Sequence, residues 1–128
     1  PHRVRVIRAG YLPFDHLAGF LGGADVVAYP SVGEGFGLPV LEAMACGSAV
    51  LTTRRLSLPE VGGDAVEYCG VGVADIAEGL TGLLDNPARR SALSTAAQQR
   101  AKEFSWASCA EQHREAYARA HYVHQRMR

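Results

Sequence analysis

The chain has 128 residues, enough for one globular domain, and its 48% hydrophobic content excludes a disordered polypeptide. Its 13 basic and 13 acidic residues cancel, so the total charge does not indicate a nucleic acid or an anionic membrane as partner. Cys46, Cys69 and Cys109 are too few and too widely spaced for a disulfide framework or a zinc site, so we expect a reduced, cytoplasmic-type protein.

The first part of the chain predicts strands that alternate with helices. Residues 3–9 are β-branched in part and end at Gly10, which indicates a strand. Pro13 opens an apolar-periodic run that predicts a helix over residues 14–21. Residues 25–30 are nearly continuous in apolar side chains, as is typical of a strand buried on both faces.

A glycine-rich segment then lies between a strand and a helix. Residues 31–37 are predicted to form a loop, and Pro39 starts a helix that runs to about Cys46. Gly47 is placed to cap the C-terminus of that helix. Residues 49–53 are apolar and β-branched and predict the next strand.

The rest of the chain predicts one more strand and mostly helices. Ser57 and Glu60 have the spacing of a capping box, so a short helix is expected there. Residues 65–69 predict a short strand. Long helices are expected over residues 74–84, over residues 87–102 behind an Asn86 cap, and after a Ser105 cap. Alternating strands and helices predict an α/β fold, with a Rossmann-like parallel sheet flanked by helices.

The last helix carries a stripe of mainly apolar residues at helical spacing. Its members are Trp106, Cys109, His113, Tyr117 and Ala120. Such a stripe predicts a face that is packed into a core. We also hypothesise that this face mediates self-association of the chain.

The loop at residues 31–37 has the features of an anion site. Gly35 and Gly37 allow the backbone to approach a ligand closely, and the helix that follows offers free N–H groups and the positive end of its dipole. The pattern is not the Rossmann fingerprint, because Val40 occupies the place of the third glycine, and no P-loop Gly-Lys follows. A tight strand-to-helix turn without any ligand would explain the glycines equally well.

Two glutamates favour a ligand over a simple turn. No residue one helical turn from Glu42 can pair with it, and the surrounding helix is so apolar that we expect it to be buried. A buried carboxylate needs donors, which sugar or ribose hydroxyls would supply. Glu34 would present a second acceptor to the same ligand. The alternative for Glu42 is a backbone N–H or an arginine partner within the core.

The segment Glu34-Gly-Phe-Gly-Leu-Pro-Val-Leu-Glu42 resembles the E-x7-E motif of retaining glycosyltransferases with the GT-B architecture, especially glycosyltransferase family 4. Similar short segments of that family are Gly23-Ala-Asp25, Tyr29-Pro-Ser31, Leu58-Pro-Glu60, Gly63-Asp-Ala65 and Phe104-Ser-Trp106. The resemblance extends over nearly the whole chain. It implies that residues 1–128 are part of the C-terminal, nucleotide-sugar-binding half of a GT-B enzyme.

The resemblance also implies roles for individual residues. Glu34 takes the position that contacts the donor sugar near its anomeric centre and is the candidate catalytic residue, and Glu42 takes the position that holds the ribose hydroxyls. The residues that face the diphosphate and the sugar are then Gly35, Phe36, Gly37 and Leu38. Such enzymes transfer a sugar from a nucleoside diphosphate to an acceptor with retention, generally without a bound metal, so we expect neither a metal nor another cofactor.

The chain departs from the family's pattern at its beginning. The family's first strand-and-helix unit, with an arginine and a lysine that neutralise the diphosphate, has no counterpart here, and Arg3, Arg5 and Arg8 do not match those positions. The N-terminal, acceptor-binding domain has no counterpart either. We therefore expect the isolated polypeptide to be inactive, and its acceptor is unknown. We expect a cytoplasmic location, with peripheral membrane contact of the full-length protein left open.

Other functions remain open on the sequence. A non-catalytic module that binds a nucleotide sugar would keep the same residues, and a sugar-nucleotide epimerase would share the architecture. A purely structural domain would leave Glu42 without a role. Arg54 and Arg55 follow a strand end where they could meet a phosphate or the N-terminal domain, but we expect solvated loop charges.

Overall fold

A computed structural model describes residues 5–127 of the chain. Its strands are Val27–Tyr29 (β1), Val50–Thr53 (β2) and Glu67–Cys69 (β3). Its helices are Phe14–Gly22 (α1), Leu38–Ala45 (α2), Leu58–Gly62 (α3), Val73–Leu84 (α4), Pro87–Ala101 (α5) and Trp106–Arg126 (α6).

The three strands form a parallel sheet in the order β1-β2-β3. Val27 of β1 lies opposite Val50 of β2, and Leu51 of β2 lies opposite Glu67 of β3. All four residues of the central strand β2 are buried. The predicted α/β fold with a parallel sheet flanked by helices is therefore confirmed.

Alternate residues of β2 face two different hydrophobic clusters, because side chains of a strand point to opposite faces. Val50 belongs to the cluster that contains Met44 of α2 and Val61 of α3. Leu51 belongs to the cluster that contains Leu83 of α4 and Leu93 of α5. Helices thus cover both faces of the sheet.

Local capping residues set the ends of several helices as predicted. Asn86 accepts a hydrogen bond from the Arg89 amide through its side chain, at 2.9 Å, and α5 begins at Pro87. Ser105 likewise accepts from the Ser108 amide at 3.0 Å and caps α6. Gly47, just beyond α2, has a φ of 80°, which is the left-handed conformation that commonly ends a helix.

The strand predicted at residues 3–9 is wrong for the residues that the structure describes. Residues 3 and 4 lie outside them, and residues 5–10 have no regular secondary structure and are exposed. A strand is stable only when its backbone groups pair with a neighbour. Within the described chain, β1 pairs with β2 alone, and residues 5–9 pair with no strand.

The strand predicted to be buried on both faces is also different in the structure. Val27 and Tyr29 of β1 are half-buried and Ala28 is exposed. The reason is position, because β1 is at the edge of the described sheet whereas the fully buried β2 is at its centre. Apolar content therefore predicted the strand correctly but not its place in the sheet.

The apolar stripe of α6 is not packed into a core in the described chain. No residue of α6 is buried, and Trp106 and Tyr117 are 83% and 70% exposed. The periodicity predicted the helix correctly, but no described element covers this face of it. Self-association through it stays a prediction.

No helix among residues 5–127 combines the length and the apolar character needed to cross a lipid bilayer. The three cysteines are free thiols, and Cys109 is exposed while Cys46 and Cys69 are half-buried.

Candidate functional site

The candidate site lies at the edge of the sheet where all three strands end. Because the strands are parallel, their carboxyl ends at Tyr29, Thr53 and Cys69 are on the same side. The loop of residues 30–37 leaves β1 at this edge and enters α2. Ligands of open parallel sheets bind at such an edge.

Threonines at the end of β2 hold the beginning of this loop. The Thr52 hydroxyl donates to the carbonyl oxygen of Tyr29 at 2.8 Å, and the Thr53 hydroxyl donates to the carbonyl oxygen of Ser31 at 2.5 Å. Both threonine side chains are buried. The loop backbone is therefore attached to the central strand by hydrogen bonds from buried side chains, which are shielded from water.

Ser57 holds the middle of the loop, and the capping box predicted for it does not form. Its hydroxyl donates to the carbonyl oxygen of Glu34 at 3.2 Å and makes no capping bond to α3. Ser57 also has helical backbone angles, with φ −75° and ψ −15°, rather than the extended angles typical of an N-cap. The Ser57 hydroxyl thus bonds to the distant carbonyl oxygen of Glu34 instead of forming the local capping box with Glu60.

Glu34 is half-buried and is hydrogen-bonded through its side chain. The Tyr29 hydroxyl donates to Glu34 Oε1 at 2.5 Å. That hydrogen bond, together with burial and the negative charge of Glu34, raises the pKa of Tyr29 above its ordinary value. The sequence contains no pattern that identifies this pair, because the contact depends on the path of the loop over the end of β1.

The loop ends in a left-handed residue that starts α2. Gly37 is buried and has φ 100° and ψ 41°. A Cβ atom there would lie 2.8 Å from Cδ2 of Leu58, whose side chain is fully buried. The conformation and the packing therefore both require glycine at this position.

Backbone amides are available at the same place. Among residues 5–127, the N–H groups of Gly35, Phe36, Gly37 and Leu38 donate to no protein acceptor. They lie next to the N-terminus of α2, where the helix dipole favours negative charge. Free amides next to a helix N-terminus are thus present in the described chain, and their use by an anion stays a prediction.

Phe36 is 41% exposed, and its ring meets the ring of Phe104 edge to face, with centroids 6.0 Å apart. Phe104 lies in the turn between α5 and α6, and the guanidinium carbon of Arg100 is 5.5 Å from its centroid. The contact of Phe104 with the site loop is long-range and left no local pattern.

Glu42 is exposed, so the burial expected for it is wrong. α2 buries Val40, Ala43 and Met44 on its opposite face, and Glu42 lies on the exposed face with Leu38. Apolar residues surround Glu42 in sequence but point into the core, because the helix has a 3.6-residue period. Because Glu42 is exposed, water can hydrate its carboxylate, and the fold does not require a protein partner for it. The carboxylate is therefore accessible to a ligand.

The two arginines after β2 differ in their contacts. The Arg54 guanidinium carbon lies 4.1 Å from the centre of the Tyr68 ring, so its exposed side chain is stacked rather than simply solvated. Arg55 is exposed, as expected for a loop charge.

An open groove elsewhere in the molecule does not include the two glutamates of the motif. It runs along β3 and α4 and is lined in part by Glu67, Asp75 and Glu78. Glu67 pairs with Arg89 at 2.9 Å, and Asp75 accepts the Gly72 amide at 3.1 Å. Glu67 and Asp75 are thus already paired within the fold, and the loop at Glu34 remains the candidate site.

Curated proteins of related sequence are glycosyltransferases. The chain is 42% identical over 110 residues to O-antigen chain mannosyltransferase B of Escherichia coli, covering 84% of this chain and 29% of that protein. It is 42% identical over 93 residues to a D-inositol 3-phosphate glycosyltransferase of an Arthrobacter species, covering 70% of this chain and 22% of that protein. The chain thus spans less than a third of the relatives it matches.

A solved structure and a family model agree with these relatives. The sucrose-phosphate synthase of Thermosynechococcus elongatus superimposes with a TM-score of 0.77 at 25% identity, over 90% of this chain and 30% of that one. This likeness supports the predicted Rossmann-like, GT-B-type architecture. The family model for glycosyl transferases group 1 matches residues 2–100. Because that match extends over most of the chain, the chain belongs to the glycosyl transferases group 1 family.

Proposed function

We propose that this chain is the donor-binding half of a retaining glycosyltransferase, which transfers a sugar from a nucleoside-diphosphate sugar to an acceptor. One observation carries the proposal: the free amides of residues 35–38 lie beside the fixed carboxylate of Glu34 at the carboxyl edge of the sheet. Amides at a helix N-terminus suit a diphosphate, and a carboxylate suits sugar hydroxyls. Membership of the glycosyl transferases group 1 family supports sugar transfer as the reaction.

The proposed donor contacts follow the E-x7-E motif. They are Glu34, Gly35, Phe36, Gly37, Leu38 and Glu42. Glu34 contacts the sugar close to the reacting carbon and is the proposed catalytic residue. Glu42, exposed on the same side of α2 as Leu38, accepts hydrogen bonds from the ribose hydroxyls. Each such bond to a charged acceptor contributes about 1.5–3 kcal/mol.

The rest of the enzyme supplies what this chain does not show. In this proposal a separate domain binds the acceptor, no metal or other cofactor takes part, and the protein is cytoplasmic. The isolated chain then transfers no sugar. A transfer assay with a labelled nucleotide sugar checks this, and product formed by the purified chain alone would contradict it.

Ligand-induced thermal stabilisation tests the donor site. The melting temperature of the chain is measured with UDP, GDP, ADP and dTDP and with matching nucleotide sugars, each at millimolar concentration. Binding to the folded state stabilises by RT ln(1 + [L]/Kd), so weak binding is detectable. We expect a shift with one nucleotide, and Glu42→Ala should weaken binding by about tenfold or more.

A matched control separates the motif from a general loss of charge. Glu78→Ala removes an exposed carboxylate from α4, away from the loop, and should leave binding unchanged. Equal loss in Glu42→Ala and Glu78→Ala would contradict the assignment of Glu42. The panel is repeated on the full-length gene product, and no stabilisation by any ligand in either protein would contradict donor binding.

A further inference from the structure

Tyr29 and Glu34 form a side-chain pair that the proposed donor contacts do not explain. Tyr29 is the last residue of β1, and the loop folds back so that Glu34 Oε1 accepts its hydroxyl hydrogen at 2.5 Å. Both residues are half-buried. The pair therefore lies at the boundary between the core and the site, where a hydrogen bond is partly protected from water.

The hydrogen-bond donor, Tyr29, is held by β2 and by the hydrophobic core. Tyr29 pairs with Thr52 in the parallel register of β1 and β2, and its carbonyl oxygen accepts the Thr52 hydroxyl at 2.8 Å. Its side chain packs against the hydrophobic cluster that includes Met44 and Val50. A ring that is fixed by a strand and by a core gives its hydroxyl a defined position.

The hydrogen-bond acceptor, Glu34, is constrained in a similar way. The carbonyl oxygen of Glu34 accepts the Ser57 hydroxyl at 3.2 Å, which fixes the backbone, and Tyr29 fixes the carboxylate through Oε1. Within the described residues, Oε2 of Glu34 has no hydrogen-bond partner. An ionised carboxylate only accepts hydrogen bonds, so Oε2 is left to accept from a bound molecule.

Tyr29 keeps its proton under the conditions in which such a site works. Its pKa is raised by the hydrogen bond to Glu34, by burial and by the charge of Glu34. It is therefore a donor throughout the neutral range and does not compete with Glu34 as an acceptor.

We propose that Tyr29 is a positioning residue that holds Oε1 of Glu34 and thereby presents Oε2 to a hydroxyl of the donor sugar. The inference rests on the proposed function, because it assigns the sugar as the group that Oε2 meets. It adds a residue outside the glutamate motif and distinguishes the two carboxylate oxygens. The nucleotide part of the donor makes no use of this contact.

The isosteric variant Tyr29→Phe removes the hydroxyl and keeps the packing of the ring. We expect nucleotide-sugar binding to weaken by roughly fivefold to tenfold, as for the loss of one hydrogen bond of typical strength, while binding of the nucleoside diphosphate alone changes by less than about twofold. Thermal stabilisation and calorimetry measure the two affinities. They are applied to whichever protein, this chain or the full-length gene product, binds a nucleotide in the panel described above. Tyr117→Phe, on the exposed face of α6, is the matched control and should change neither.

A second measurement needs no ligand. Labelling tyrosine rings with ¹³C allows the phenol of Tyr29 to be titrated individually by NMR. In Glu34→Ala the pKa of Tyr29 should fall toward the ordinary value of about 10, because its hydrogen-bond acceptor and the adjacent charge are removed. An unchanged titration would show that the pair does not form in solution and would overturn the inference.

The outcomes separate this role from the proposed function. If the pKa of Tyr29 falls in Glu34→Ala (a coupled titration) and Tyr29→Phe selectively loses nucleotide-sugar binding, both the positioning role and the proposed function are supported. Coupled titration with normal nucleotide-sugar binding by Tyr29→Phe overturns the positioning role and leaves the donor site intact. Equal weakening for the nucleotide and the nucleotide sugar overturns it as well, since the effect would then be structural. Failure of the unsubstituted protein to bind any donor overturns the proposed function and this role together.

Discussion

Gly35 and Gly37 flank Phe36 in the site loop and have different physical roles. Gly37 has a φ of 100°, and a Cβ atom there would meet the buried Leu58 side chain at 2.8 Å. A Cβ atom on Gly35 would have no heavy atom within 4 Å, and its φ is not in the left-handed region. The fold therefore requires glycine at position 37, whereas at position 35 the open space faces outward and is available to a ligand.

Substitution of these glycines tests whether the stability of the fold requires glycine at position 37 but not at position 35. Gly37→Ala should lower the free energy of unfolding by about 1–2 kcal/mol from the left-handed backbone, with a further loss from the contact with Leu58. Gly35→Ala should change it by less than about 0.5 kcal/mol, as is usual for an exposed site. Urea unfolding followed by circular dichroism measures both, and similar stability losses would contradict the distinction.

At the scale of secondary-structure elements, Arg100 of α5 connects the last long core helix to the short helix α3. Its Nε donates to the carbonyl oxygen of Val61 at 2.7 Å, and its Nη2 donates to the carbonyl oxygen of Glu60 at 2.5 Å. These carbonyls belong to the C-terminal end of α3, which has no internal partners for its last carbonyls. A cation at this end also complements the helix dipole.

Loss of this connection should destabilise the fold measurably. Arg100→Met keeps the aliphatic part of the side chain and removes the donors, and we expect the free energy of unfolding to fall by about 1.5–3 kcal/mol. Arg114→Met is the matched control, because within the described part of the chain Arg114 pairs only with Glu111, on the exposed surface of α6. An exposed pair of this kind contributes roughly 0.2–1 kcal/mol. Denaturant midpoints that shift equally in the two variants would argue against a connecting role for Arg100.

For the whole molecule, three groups on strands β1 and β3 link stability to alkaline pH. The hydrogen bond to Glu34 raises the pKa of Tyr29, and burial raises the pKa of Tyr68 and of Cys69. For Tyr68, burial outweighs the opposing effect of the nearby Arg54. The folded state therefore retains protons that the unfolded chain releases, and each group contributes stability that is present below its unfolded pKa and lost as pH rises through its folded pKa.

We expect the free energy of unfolding to decrease as pH rises from about 8.5, the ordinary value for a thiol, through and beyond about 10, the ordinary value for a phenol. Urea midpoints measured from pH 7.5 to 10.5 check the sign and the onset. Tyr68→Phe and Tyr29→Phe should each reduce the slope, and Tyr117→Phe, whose ring is 70% exposed, is the control. Stability that stays constant or rises above pH 9 would contradict the linkage.

Features that depend on a few neighbouring residues could be predicted from the sequence. The caps at Asn86 and Ser105 formed because each side chain reaches an amide three residues away. The alternation of strands and helices followed from hydrophobic periodicity, and the loop with Glu34 followed from its glycines and from a resemblance to known enzymes. These features are local, so the chain itself contains the information.

Other features were decided only by the tertiary structure, because they depend on which segments meet. Residues 5–9 have strand composition but pair with no strand among residues 5–127, and Glu42 has apolar neighbours in sequence but lies on the exposed side of α2. Ser57 has a capping pattern, yet its hydroxyl turns to the carbonyl oxygen of Glu34, 23 residues away. The sequence by itself thus determined most of the elements and the motif, whereas burial, strand pairing and the contacts that orient Glu34 depend on long-range packing, which local periodicity does not encode.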